Sequence, residues 1–242
     1  MFYFASAWSL LRDFVARKPA RSFSGRTIAV GAIADIRLKR RELVLTFDDG
    51  PKPQFTEDVL KALDDAGVKA TFMMIGAQAS AHPALVRAVA EKGHTIGSHT
   101  QHHVNLKAVD PISAKAEIDK GRDSVATSLE PTRHRAAPLF RFPYLADTAL
   151  LRAQLAKGGI VVLDVDIKIG DENDLSPDQL HRQAMRRIVR RGSGIVLMHD
   201  IHARTAAMLP GLLADLRARG FTIAHLVPAT TSLTLMSLMS SL

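Results

Sequence analysis

The chain contains no cysteine, which excludes disulfides and thiolate metal sites and leaves the redox compartment open. Aromatic residues are few: one tryptophan, two tyrosines and ten phenylalanines in 242 residues. That scarcity argues against a sugar-binding platform of stacked rings. Basic residues are not interleaved with aromatics either, so no nucleic acid partner is expected. No apolar run approaches the ~20 residues of a membrane-spanning helix. Residues 1–11 are apolar, but no positive charge precedes them, so they make a poor signal peptide. A degraded signal and an amphipathic arm continuing through Arg12–Val15 are the alternatives. Cell envelope, periplasm and cytoplasm all stay open. Acidic residues are outnumbered, 24 against 32 Lys and Arg, for a formal net charge of +8. The basic clusters at Arg37–Arg41 and Arg186–Arg191 read first as solvated surface. The sharper reading is association with a membrane surface or an anionic polymer. Nothing in the sequence specifies an oligomeric state.

What is present is a steady alternation of short apolar runs and amphipathic segments. Strands are expected at Leu43–Phe47, Ala70–Ile75, just before Gly97-Ser98-His99, Leu139–Phe142, Ile160–Asp166, Gly194–Met198 and Phe221–Leu226. Helices are expected at Thr56–Ala66, from Pro83 to Gly93, and at Ile112–Leu129, Ala146–Lys157, Pro177–Arg191 and Ala206–Arg219. Gly67, Gly93 and Gly220 stand as stops, and Ser176 as an N-cap. Strict β-α alternation implies an α/β fold with a parallel sheet. Asp48, Asp49, His99, Arg141, Asp164, Asp166 and His199 all fall at or just past predicted strand ends. That placement favours a (β/α) barrel, whose chemistry gathers on the C-terminal face of its strands. The length suits a single catalytic domain over 41–228, after a leader of uncertain structure (1–40) and before a tail without assigned role (229–242).

The most informative pattern is Thr46-Phe47-Asp48-Asp49-Gly50, followed about fifty residues later by His99-Thr100-Gln101-His102-His103. A carboxylate and two imidazoles can hold one divalent metal with a coordination position left open. Zinc suits that donor set best, and cobalt or nickel also fit. The second carboxylate stays free as a base, which points to metal-assisted hydrolysis. In an extended strand the two aspartates point to opposite sides, so a turn at Gly50-Pro51 is needed to converge them. On one turn of helix His99 and His103 share a face. His102 lies near that face as well, and spacing alone does not choose between His102 and His103.

Thr46-Phe47-Asp48-Asp49-Gly50-Pro51 and His99-Thr100-x-x-His103 resemble the first two motifs of the polysaccharide deacetylase family (NodB-like, carbohydrate esterase family 4). Segments Ala70–Gly76 and Gly93–Thr100 are similar to the family's connecting segments. Phe140-Arg141-Phe142-Pro143-Tyr144 resembles the third motif, and Leu197-Met198-His199-Asp200-Ile201-His202 the fifth. The resemblance runs over about 42–226. It implies a distorted, seven-stranded (β/α) barrel. It also implies a substrate carrying N-acetyl groups, a GlcNAc-containing polysaccharide or oligosaccharide. By position it implies Asp49, His99 and His103 as metal ligands, Asp48 as base, His199 as acid and Arg141 as the base's partner. Tyr144 would give a backbone N–H to the oxyanion, and Leu197 a wall of the acetate-methyl pocket. The fourth motif departs from the family pattern of Asp followed by Trp: 163–172 offers several acids and no tryptophan. Asp166 or Asp171 could tune His199, and Asp166 is preferred. The same machinery would serve an O-acetyl esterase on xylan or another acetylated glycan. A non-catalytic carbohydrate-binding barrel is the reading furthest from these residues.

Overall fold

The computed structural model of the chain describes residues 22–229. Its sheet grows from one central strand, β2 (Glu42–Asp48), in which all seven residues are buried. One edge of β2 pairs with β8 (Gly194–His199) from Leu43 to Asp48. The other edge is shared between β9 (Thr222–Pro228), which pairs with Glu42 and Leu43, and β3 (Thr71–Met74), which pairs from Thr46 to Asp48. From β3 the ladder continues to β4 (Thr95–Ser98), β5 (Leu139–Phe140) and β6 (Val161–Val162). On the far side of β8 lies β7 (Ile167–Lys168). Seven strands therefore wrap in the order β6-β5-β4-β3-β2-β8-β7, every pair parallel, and the wall stays open between β6 and β7. This is the distorted barrel, with an open seam.

The helices form because an apolar stripe faces this wall. α1 (Phe55–Ala66) buries Val59, Leu60 and Leu63 and ends at Gly67, whose φ of +67° suits a residue without Cβ. α6 (Pro177–Arg191) starts on a capping box: Ser176 Oγ accepts from Gln179 N–H and Gln179 Oε1 from Ser176 N–H. α3 (Pro83–Glu91), α4 (Pro111–Leu129), α5 (Ala149–Lys157) and α7 (Ala203–Ala218) complete the outer layer. α2 (Gly76–Ala81), not expected from the sequence, is short. His94 packs edge-on to Phe72 and accepts from Ala70 N–H.

Three expectations need correction. Residues 1–40 read as a leader, but Ser24–Val30 form β1, paired with β9. The connection that follows packs Ile36 and Leu38 onto the inner cluster containing Leu163 and Ile195, at the end of the barrel opposite the strand C-termini. The leader calls on 1–21, like the tail call on 230–242, lie outside the described residues. Ile160–Asp166 is not one strand: only Val161–Val162 pair with β5, and β7 begins at Ile167. The intervening polar groups are engaged elsewhere, since the Leu163 carbonyl accepts from Arg141 Nε at 3.0 Å and Asp166 Oδ2 from Ile195 N–H at 3.0 Å. α5 starts at Ala149, not Ala146, because Pro143–Leu145 make a 3-10 turn and Thr148 caps the helix.

A contact between α4 and the loop after β4 fixes where the histidines sit. A Cβ on Gly121 would overlap the Thr100 carbonyl and lie 2.7 Å from Gln101 N. Gly76 and Ala77, at the start of α2, donate their otherwise unpaired N–H groups to the carbonyls of Thr100 and Gln101, each at 2.9 Å. Glycine to alanine inside a helix ordinarily stabilises by up to ~1 kcal/mol. Gly121→Ala is expected to do the reverse, destabilising by about 1–3 kcal/mol through overpacking. Urea denaturation decides it: a midpoint unchanged or raised would refute this contact.

Candidate active site and metal centre

The sheet register brings the site together. Asp48 ends β2 level with His199, which ends β8. Ser98 pairs with Met74 on one side and Phe140 on the other, so the residues that follow, His99 and Arg141, emerge side by side. The loops above these strand ends are bent sharply. Seven non-glycine residues among those described have positive φ, and six of them, Asp49, Gln54, Thr100, His103, Tyr144 and Leu145, belong to these loops. Thr100, β-branched at φ +66°, is the least tolerant of that conformation. Strain held in one place by surrounding structure marks a functional site.

Asp49, at φ +74°, directs its carboxylate toward two imidazoles. Its Oδ1 lies 3.4 Å from His99 Nε2 and 3.3 Å from His103 Nε2. The three donor atoms lie within 4.8 Å of one another. His99 and His103 meet across a left-handed loop rather than on the helical turn expected from their spacing. The loop also separates the candidates: His102 turns away, half-exposed, to bond Glu117 Oε1 at 2.8 Å, so His103 is the partner of His99. The donor set fits a divalent metal. Asp49 Oδ1 is buried without a hydrogen-bond partner. His99 Nδ1 is 2.7 Å from the Arg141 carbonyl, which makes Nδ1–H the donor and leaves the Nε2 lone pair toward Asp49. Burial opposes ionisation of Asp49, but when the surrounding imidazoles carry protons, His99 first and then His103 and His199, their charge outweighs it and draws its pKa down to about 2. Burial holds the His103 imidazole below its ordinary range, which keeps it a neutral ligand.

Asp48 is buried beside this trio. Its Oδ1 accepts from Arg141 Nη1 at 2.6 Å, while its Oδ2 stands 3.9 Å from His99 Nε2. Arg141 is wholly buried and held on three sides: Nη1 also donates to Thr46 Oγ1 at 2.8 Å, and Nε to the Leu163 carbonyl. Tyr144 lies mostly exposed at the rim, with its ring 4.7 Å from that of His103. Leu197 is buried on β8.

His199 faces the trio from the opposite side, with Nε2 4.0 Å from Asp49 Oδ2. Its tuning partner is Asp171, not Asp166. Asp171 Oδ1 lies 2.9 Å from His199 Nδ1, and Oδ2 accepts from His199 N–H and Thr205 Oγ1, each at 2.7 Å. Asp166 points instead to Arg191 and the Ile195 N–H. Burial alone would lower the His199 pKa, but Asp171, with Asp48 and Asp49 beyond, raises it to about 9. Asp171, Glu172 and His199 also cluster closely enough to hold an ion. Both Asp171 oxygens are already taken by hydrogen bonds, so that trio serves the imidazole instead. Asp200 supports the loop from beneath: Thr56 Oγ1 donates to its Oδ2 at 2.6 Å, and a Cβ on Gly50 would overlap its carboxylate. Burial first, then the charges of Asp49 and Asp48, push the Asp200 pKa up to about 7.

The chain belongs to the polysaccharide deacetylase family of hydrolases, whose profile matches residues 35–163. It is 29% identical over 191 residues to the peptidoglycan-N-acetylglucosamine deacetylase of Bacillus cereus, covering 76% of this chain and 68% of that one. It is 31% identical over 197 residues to the chitooligosaccharide deacetylase of Sinorhizobium fredii, covering 75% and 88%. A solved peptidoglycan deacetylase from Bdellovibrio bacteriovorus superposes with a TM-score of 0.75 at 32% identity. That match covers 88% of this chain and 58% of the other, so the chain spans little more than half of that relative.

A histidine whose folded pKa is raised contributes stability that is complete below its unfolded pKa and is lost as pH rises through the folded one. For His199 that window runs from about 6.5 to about 9. In the metal-free protein, Asp171→Asn is expected to move the His199 titration followed by NMR downward and to narrow this window. A titration near 9 in both proteins would mean Asp171 does not set it.

Proposed function

We propose that the chain is a metal-dependent N-deacetylase of glycans bearing N-acetylglucosamine. The observation that carries this reading is the juxtaposition of three units: the Asp49–His99–His103 trio, the Arg141-bound Asp48, and His199 across from both. The names of the relatives, one acting on peptidoglycan N-acetylglucosamine and one on chitooligosaccharide, support the same substrate class.

Asp49, His99 and His103 would hold the ion, with zinc the best match to one carboxylate and two imidazoles. When bound, such an ion polarises an amide carbonyl and lowers the pKa of water toward ~7. Asp48 takes the proton from the attacking water at Oδ2, the oxygen not engaged by Arg141. Arg141 keeps that carboxylate oriented and cannot itself accept the proton. The Tyr144 N–H supports the oxyanion as charge develops on the former carbonyl oxygen. His199, protonated through Asp171, gives its Nε2 proton to the leaving amine nitrogen, and the C–N bond breaks to release acetate and free amine. Leu197 borders the space for the acetyl methyl.

Asp48→Asn is nearly isosteric and leaves the trio in place. It is expected to lower acetate release from N-acetylglucosamine oligomers by about 10²–10⁴-fold, with metal content unchanged. Turnover within a few-fold of the parent would exclude Asp48 as the base. Faster release from O-acetylated xylan than from the oligomers would redirect the assignment to an ester substrate.

A further inference from the structure

The catalytic end carries Asp48, Asp49, Asp171, Glu172 and Asp174, the last two exposed. At the opposite end, where helices finish and strands begin, Asp64, Asp65, Glu91 and Glu130 lie at the ends of α1, α3 and α4, and a separate sector is basic. Three connections there are joined by main-chain bonds: Arg41 N–H donates to the Gly192 carbonyl, and Thr222 N–H to the Arg41 carbonyl, each at 2.8 Å. These are the approaches to β2, β8 and β9, which are neighbours in the sheet. They display Arg40, Arg41, Arg190, Arg191, Arg217 and Arg219 together, all exposed. Arg191 is paired with Asp166. Arg217 is turned onto the Ala66 carbonyl and the Phe23 ring. No carboxylate among the described residues lies within 4.0 Å of the charged groups of Arg40, Arg41, Arg190 and Arg219.

Uncompensated like charges on one small face cost self-repulsion and are relieved by an anionic partner. The chain itself points to which kind. Residues 1–21 join the fold at this end, because Phe23 precedes β1, its carbonyl accepts from Ile223 N–H at 2.9 Å, and its ring lies against Arg217. That stretch contains Phe2, Tyr3, Phe4, Trp8, Leu10 and Leu11 beside Arg12, Arg17, Lys18 and Arg21. An apolar, aromatic block followed by basic residues, rather than rings interleaved with them, suits a lipid–water interface, where the block enters the bilayer and the cations meet its headgroups. We propose that the face formed by Arg40, Arg41, Arg190 and Arg219 docks on an anionic lipid bilayer, with the catalytic end directed away from it. The inference does not depend on the proposed chemistry.

The test is flotation of the full-length protein with vesicles of phosphatidylglycerol and phosphatidylcholine, alongside vesicles of phosphatidylcholine alone. Four substitutions, Arg40→Gln, Arg41→Gln, Arg190→Gln and Arg219→Gln, are compared with a control of equal charge change, Lys107→Gln, Lys115→Gln, Lys120→Gln and Arg182→Gln. Each basic residue near an anionic surface changes affinity about fivefold. The first variant should therefore lose at least about a hundredfold in partitioning to anionic vesicles, while the control stays within a few-fold of the parent. Matching melting temperatures check that both variants fold. Equal loss in both variants, binding indifferent to the four arginines, no preference for anionic lipid, or capture by a soluble polyanion without vesicle binding would each overturn the proposal.

Discussion

A single buried guanidinium organises the catalytic end of this barrel. Arg141 grips Asp48 and Thr46 on β2, takes the Leu163 carbonyl beyond β6, and offers its own carbonyl to His99 Nδ1. One residue thus orients the candidate base, fixes the tautomer of a candidate ligand and spans the barrel interior. A buried ion pair is weak evidence of added stability, because desolvation offsets much of its Coulombic gain. The bonds of Arg141 make sense as orientation: those with Asp48 and His99 aim groups that the proposed chemistry uses, and those with Thr46 and Leu163 hold the guanidinium itself.

Around that centre the fold divides two tasks. Parallel register supplies position, since Asp48 and His199 end adjacent strands at one level. Strained loops supply direction, since Asp49, Thr100 and His103 turn out of their strands through left-handed backbone. Those loops are held in place by groups that do no chemistry: the α2 amides, Gly121, and the Thr56–Asp200 bond beneath Gly50. The result is a pair of consecutive carboxylates in different surroundings. Asp49 is ionised among imidazoles, and Asp48 is tied to an arginine.

Much of this was legible where the signal is local. The apolar stripes of α1 and α6, the Gly67 stop and the Ser176 cap each depend on a few consecutive residues, and these two helices stand where their patterns put them. Asp48, Asp49, His99, Arg141 and His199 were legible as polar residues at strand ends. What depended on distant partners was not. β1 pairs with a strand about two hundred residues later, and its mixed burial resembles a loop. β7 has two residues and exists because β8 is beside it. Choosing Asp171 over Asp166 required knowing that 160–168 breaks into two short strands, which sends Asp166 to Arg191 and brings Asp171 under His199. His99 and His103 do meet, but across a kinked loop rather than on the helical turn that their spacing suggests.

The most direct measurement is acetate release from N-acetylglucosamine oligomers by protein stripped of metal and reloaded with zinc, with Asp49→Ala in parallel. A hydrolase built on the Asp49–His99–His103 trio should bind one zinc per chain, release acetate only when loaded, and lose both properties in the variant. Acetate release that persists without metal, or zinc binding that survives in Asp49→Ala, would contradict it.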